Sequence, residues 1–254
     1  MSDRFNAERL SDEIQVFVSD EHKFGTDAFL LAGFANPRRK DMVCDLGTGC
    51  GIIPFIWCKQ HKPKTIYAVD IQEQAIEQVA ASAERSGLQG VVIPVLADLR
   101  DFKNALPQGA FDLVTCNPPY KAADTGIISE TASDKIARHE LMCTVGDVVS
   151  AAARLLKFGG RLCLCQRPER LCDVLEAMRR YGIEPKRLRF VQQRPHTAPW
   201  LFLVEGKKGA KPFLQVDEPF YIEGEGGFSK EMLACYGKEH NLPIKEHRQG
   251  TQQA

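Results

Sequence analysis

The sequence has no run of about 18 apolar residues, so nothing in it reads as a membrane-spanning helix. Its first residues, Met1-Ser2-Asp3-Arg4, carry neither the basic nor the apolar region of a secretory signal, and the expectation is a protein that stays in the cytoplasm. There is no internal repeat and no low-complexity linker, which argues against a solenoid or a string of small domains. Net charge is absent too: 33 Lys and Arg balance 33 Asp and Glu. The nine cysteines are an odd number, and several stand in apolar strand-like runs such as Arg161-Leu-Cys-Leu-Cys-Gln166. Reduced thiols fit that pattern better than a disulfide framework. Cys163 and Cys165 are read as pointing to opposite faces of one strand. No second ligand pair follows at zinc-finger spacing, so no metal is expected.

What is present is a chain of 254 residues that is 44% hydrophobic, enough for one large α/β domain with at most a small appendage. Apolar runs at 42–46, 65–70, 91–96, 111–116, 161–166, 187–192 and 200–205 read as strands. Segments with helical spacing lie between them at 52–61, 73–86, 145–157 and 167–181, with Gly159-Gly160 read as the stop of the third. Strands alternating with helices in this way predict a mostly parallel sheet covered on both faces, a Rossmann-like α/β fold. The expected division is an N-terminal extension at 1–40, the main domain at 41–225 and a tail at 226–254 whose Gln-rich end reads as disordered. Charge is unevenly spread: residues 151–211 hold 14 Lys and Arg against 5 Asp and Glu, a net +9 that makes this stretch a candidate RNA-facing surface.

In such sheets ligands sit beyond the carboxyl ends of the strands, so the residues just after each strand carry the function. The first of these strands runs into Asp45-Leu46-Gly47-Thr48-Gly49-Cys50-Gly51. Its glycines allow a tight turn and a close approach of ligand to backbone. The spacing is not the G-x-G-x-x-G that seats a pyrophosphate on a helix N-terminus, and the acid directly before the turn disfavours an anionic ligand. Asp70 ends the next strand, where a carboxylate can accept both hydroxyls of a ribose. Asp98 follows the third and can accept from an adenine amino group. Together they are shaped for an adenosine without phosphates.

The fourth strand ends in Asn117-Pro118-Pro119-Tyr120, the most specific feature in the chain. Two prolines stiffen the backbone and leave carbonyl acceptors on the rim. An amino group conjugated to a ring or carbonyl is a poor nucleophile because its lone pair is delocalised. Accepting both its protons, on the Asn117 oxygen and the Pro118 carbonyl, favours a pyramidal nitrogen and frees that pair. Tyr120 can stack on the planar group. His139 beside Glu140 could suggest acid-base work, but the surrounding polar loop favours a structural role.

In this order on this fold, these motifs resemble the class I methyltransferases that use S-adenosylmethionine (SAM) to methylate exocyclic or amide nitrogens. Phe24-Gly-Thr-Asp-Ala-Phe-Leu-Leu-Ala-Gly-Phe34, Val69-Asp-Ile-Gln72, Ala137-Arg-His-Glu140, Arg167-Pro-Glu-Arg-Leu171 and Leu203-Val-Glu-Gly-Lys-Lys208 resemble one branch, the bacterial tRNA1(Val) adenine-37 N6-methyltransferases. The resemblance implies a seven-stranded sheet and SAM as cofactor, leaving S-adenosylhomocysteine. It implies that Phe24, Gly25, Thr26 and Asp27 close over the cofactor and that Gly47, Gly49, Gly51 and Asp70 hold it. Asp98 would hold its adenine. Asp45, Leu46, Thr48, Ile71, Leu99 and Asn117 complete the implied cofactor set. Asn117, Pro118, Pro119 and Tyr120 are the implied catalytic residues, and the partner is RNA, with no membrane, no metal and a monomer as the default. Where the family often has Glu, this chain has Asp70. Two other readings stay open. One is a glutamine N5-methyltransferase of the release-factor type, against which stand only about 40 residues before the glycine turn. The other is a non-catalytic RNA-binding relative.

Overall fold

The computed structural model describes residues 5–19, 22, 24–102, 105–118 and 143–237. A hairpin of Asn6–Arg9 (β1) and Gln15–Val18 (β2) and a helix, Thr26–Ala35 (α1), precede the alternating units. Those units are Met42–Leu46 (β3), Ile52–Gln60 (α2), Thr65–Asp70 (β4), Glu73–Arg85 (α3), Val92–Leu96 (β5), Phe111–Cys116 (β6), Val145–Leu155 (α4), Leu156–Gln166 (β7), Leu171–Arg180 (α5), Ile183–Gln192 (β8) and Leu201–Lys208 (β9). The strands pair in the order β8-β9-β7-β6-β3-β4-β5, parallel except for β9, which runs against both neighbours. Two-residue strands at Gln215–Val216 (β10) and Phe220–Tyr221 (β11) extend β8 on its far side. This is the seven-stranded α/β arrangement expected.

Side-chain alternation divides the interior into two layers. Val43, Leu113, Cys163 and Cys165 face a cluster built with α1, α2 and α3, whereas Cys44, Leu46, Val114, Cys116, Leu162 and Leu164 face one built with α4 and α5. Strands buried on both faces explain the continuous apolar runs of β3 and β6. Cys163 and Cys165 thus share one face, with Leu164 on the other. The opposite-face reading fails because residues two apart in a strand point the same way.

The hairpin is tied to α3 by polar side chains. Ser82 Oγ accepts from Phe17 N at 2.8 Å, Gln78 donates to Phe17 O and Ser86 Oγ accepts from Gln15 N. Buried polar groups of a helix here satisfy a strand edge that would otherwise be unpaired.

Three sequence expectations shift. Gly159-Gly160 do not stop α4, which ends at Leu155 and passes directly into β7. They sit inside that strand where its register against β6 slips, and a Cβ on Gly160 would stand 2.8 Å from Phe111 O, so close backbone approach is what requires glycine there. The segment 167–181 is a 3₁₀ turn at Pro168–Arg170 followed by α5. The folded chain also runs past residue 226: Glu223–Gly224 (β12) pairs with Gly227–Phe228 (β13), and Lys230–Tyr236 forms a helix (α6) capped by Ser229 Oγ, which accepts from Met232 N. Met232 and Leu233 are buried, and the Tyr236 ring lies 4.6 Å from that of Phe29 in α1. A seven-residue helix is too short to show a period, so it passed for a tail. Residues 238–254 lie outside the described residues.

Candidate active site

Alternation also builds the site. Asp45 pairs in register with Thr115, and Asn117 follows Thr115 by two residues, so all three project from the same face as Cys165 and lie beneath the start of α1. Asp45 is buried, and its carboxylate accepts from Thr115 Oγ1 at 2.6 Å and from Thr48 Oγ1 at 2.8 Å. It pins the glycine turn to β6. Burial pushes its carboxyl up to about 7, the Thr115 and Thr48 hydroxyls pull it back, and the nearby Asp70 charge adds to the rise.

That shift has a sign. A carboxyl whose folded value is raised stabilises the fold most below its unfolded value near 4, and the contribution is lost as pH rises through about 7. Asp45→Asn removes this titration. Between pH 4 and 7 the stability of the native chain relative to Asp45→Asn is expected to fall by on the order of 4 kcal/mol, measured as paired denaturant titrations. A difference that is flat over that window would mean that Asp45 is ionised throughout.

The turn itself is left-handed at Gly47 (φ 66°), Gly49 (φ 53°) and Gly51 (φ 81°). A Cβ on Gly51 would come within 2.9 Å of Val79 Cγ2, whereas above Gly47 and Gly49 nothing lies within 4 Å. The first two glycines therefore leave open space for a ligand, and the third allows α2 to pack on α3. Asp70, buried at the end of β4, accepts from Gly49 N at 2.9 Å with one oxygen and from Gln72 N at 3.0 Å with the other. Each oxygen keeps a lone pair for a further donor. Thr48 N also donates to Val69 O, so the turn is locked to β4. Ile71 is exposed beside Asp70, and Leu46 is buried.

Asp98 is held by its near neighbour Arg100. Arg100 clamps its carboxylate through Nε at 2.9 Å and Nη2 at 2.6 Å, and its backbone N–H adds a third contact at 2.8 Å. The Arg100 hydrogen bonds hold the Asp98 carboxyl below its ordinary value. Leu99 packs partly buried on the α4 side.

Asn117 is held from two directions. Its Nδ2 donates to Asp27 Oδ2 at 3.0 Å, and its Oδ1 accepts from the Cys165 thiol at 3.0 Å. Asp27 stands in the first turn of α1 after the N-cap Gly25, Thr26 Oγ1 lies 3.4 Å from the Tyr236 hydroxyl, and Phe24 meets Phe29 edge-on. Pro118 is buried at the end of the described segment; Pro119, Tyr120, His139 and Glu140 lie outside the described residues. Thr115 and Cys165 escaped the sequence reading. The only signal for them was parity, since each lies an even number of residues from a site position or its register partner.

Several cations of the basic stretch are paired with acids in the structure. Arg187 pairs with Asp217 and Glu205, Arg189 with Glu231, Arg194 with Glu223, Arg179 with Glu184 and Lys157 with Asp112. Local sequence counting misses acids that the fold brings from outside the window. Among the described residues, no group of three or more His, Cys, Asp or Glu side chains could hold a metal ion, and no helix is long and apolar enough to cross a membrane.

The sheet order with its antiparallel β9, the glycine turn after β3 and the acid ending β4 define a class I methyltransferase. Residues 8–179 match the family model of the methyltransferase small domain, and the chain belongs to that family. It is 28% identical over 177 residues to a tRNA1(Val) (adenine(37)-N6)-methyltransferase of Phocaeicola vulgatus, covering 70% of this chain and 73% of the relative. A relative of the same name from Photobacterium profundum is 22% identical over 211 residues, covering 82% and 87%. Among solved structures, a predicted O-methyltransferase from Agrobacterium tumefaciens superposes with a TM-score of 0.68 at 19% identity, over 87% of this chain and all of that one, a likeness of fold.

Proposed function

We propose that the protein is a cytoplasmic, SAM-dependent RNA methyltransferase acting on the N6 amino group of adenine, with adenine-37 of tRNA1(Val) as its target. The observation that carries the reading is Asn117, placed on the rim at the end of β6 with its amide held by Asp27 and Cys165, one strand from the glycine turn. The residues fit the cofactor: open space above Gly47 and Gly49 takes its backbone contacts, and Asp70 keeps acceptor capacity for ribose hydroxyls. Asp98 would accept an adenine amino proton by giving up one of the contacts that Arg100 makes to each of its oxygens. When bound, the cofactor supplies an electrophilic methyl group on a sulfonium.

The chain's own part is to prepare the nitrogen. Asn117 Oδ1 and the Pro118 carbonyl accept its two protons, which favours the pyramidal geometry and exposes the lone pair. Tyr120 stacks on the base. No strong base is required, because the proton is lost from a nitrogen already made cationic by methylation. The rim suits a ring amino group and an amide alike; the names of the relatives support RNA adenine over a protein amide.

Incubation with labelled SAM and total bacterial tRNA, followed by nucleoside analysis, is expected to place the label in N6-methyladenosine. Label in N2-methylguanosine, or transfer only to a protein glutamine, would overturn the adenine assignment. No transfer to any acceptor would favour a binding relative.

A further inference from the structure

The resemblance groups Asp27 with the cofactor residues, and its side chain also reaches Asn117. Asp27 Oδ2 takes the Asn117 Nδ2 proton at 3.0 Å, and Oδ1 takes the backbone N–H of Ala28 at 3.0 Å. Resting on the reading of Asn117 as the acceptor for the target amino group, we infer that Asp27 is a positioning residue. It fixes which end of the Asn117 amide faces the target.

An asparagine amide is nearly symmetric in shape and opposite in chemistry at its two ends. With Oδ1 towards the target it accepts a proton; flipped, it presents N–H to N–H. What decides between the two is the partner beyond. A carboxylate can only accept, so Asp27 takes Nδ2 and cannot take Oδ1. The Cys165 thiol, a weak donor, agrees with that orientation at the other end without being able to impose it. Drawing density through the amide, the carboxylate also makes Oδ1 a better acceptor.

The local sequence is arranged for this contact. Gly25 is the N-cap of α1 with ordinary extended dihedrals, φ −108° and ψ −179°, so its backbone does not require glycine. A Cβ there would stand 2.6 Å from Asp27 Oδ1. Glycine at 25 is what lets the carboxylate reach its place. From below, Tyr236 and Phe24 pack on Phe29 and fix the helix end that carries Asp27.

The test is single-turnover methyl transfer to tRNA at saturating SAM, with SAM affinity measured separately by calorimetry. Asp27→Asn lets residue 27 donate to Oδ1 and frees the amide to flip. The rate is expected to fall on the order of 100-fold with SAM affinity changed by less than about threefold. Gly25→Ala, whose backbone needs no adjustment, displaces the same carboxylate and is expected to act in the same direction. The double variant should be no slower than the slower single one, because both remove one contact. Should Asp27→Asn fail to fold, Gly25→Ala and its thermal midpoint carry the test. An Asp27→Asn enzyme with weaker SAM binding and a rate restored by more SAM would make Asp27 a cofactor residue and overturn the inference. So would an unchanged rate. If Asn117→Ala itself left transfer intact, the underlying reading would fail first, a result separable from the failure of Asp27.

Discussion

Asn117→Ala is expected to lower single-turnover methyl transfer to adenine on the order of 100- to 1,000-fold, with SAM affinity held within about twofold. The hydrogen bond to its side-chain oxygen strengthens as the target nitrogen turns pyramidal and gains charge, so its loss falls on the transition state and hardly on the ground state. Truncation also takes one bond from Asp27 and one from Cys165. Asn117→Asp is the sharper comparison. It places a second carboxylate at hydrogen-bond distance from Asp27, where the two repel unless one holds a proton. That variant should keep its cofactor and lose most activity. Unchanged transfer by the alanine variant would make Asn117 a turn residue and end the claim that this rim activates an amino group.

Asp70→Ala is expected to weaken SAM binding by roughly 100-fold or more, read by calorimetry, because it acts twice. It removes a charged acceptor for ribose hydroxyls, roughly 1.5 to 3 kcal/mol per bond before water compensates. It also releases the Gly49 and Gln72 N–H groups that the carboxylate holds, so the turn loses its shape. Asp70→Asn keeps one acceptor oxygen and should fall between the two. Equal affinity in the alanine variant would remove Asp70 from the cofactor site.

Much of this was legible because the long strands are buried on both faces. Met42 to Leu46 and Phe111 to Cys116 can be nothing else at that length, and the turn residues after them are fixed by glycine and proline chemistry. Helix α1 was not legible as a helix. Ala28, Phe29, Leu30, Leu31, Ala32, Phe34 and Ala35 are all buried, so it has no polar face to give a period. Thr115 and Cys165 were invisible for another reason: a hydroxyl or thiol in an apolar strand has no meaning until its neighbour across the sheet is known. Part of the charge balance was invisible for the same cause, since Asp217, Glu223 and Glu231 pair with Arg187, Arg194 and Arg189 from beyond the basic stretch.

Helix α1 reaches from Asp27 at the site to Phe34, Ala35 and Asn36 at its far end. Its own last turn holds no basic residue. The cations that suit a helix C-terminus come from elsewhere: Arg161 of β7 donates to Ala35 O and Asn36 O, and Arg187 of β8 donates to Phe34 O while lying 4.0 Å over the Phe34 ring. Such a helix is not a portable cassette. Grafted into a relative, residues 26–35 would take the aspartate along and leave behind the two arginines that anchor its other end, so α1, β7 and β8 have to be inherited, recombined or redesigned as one block.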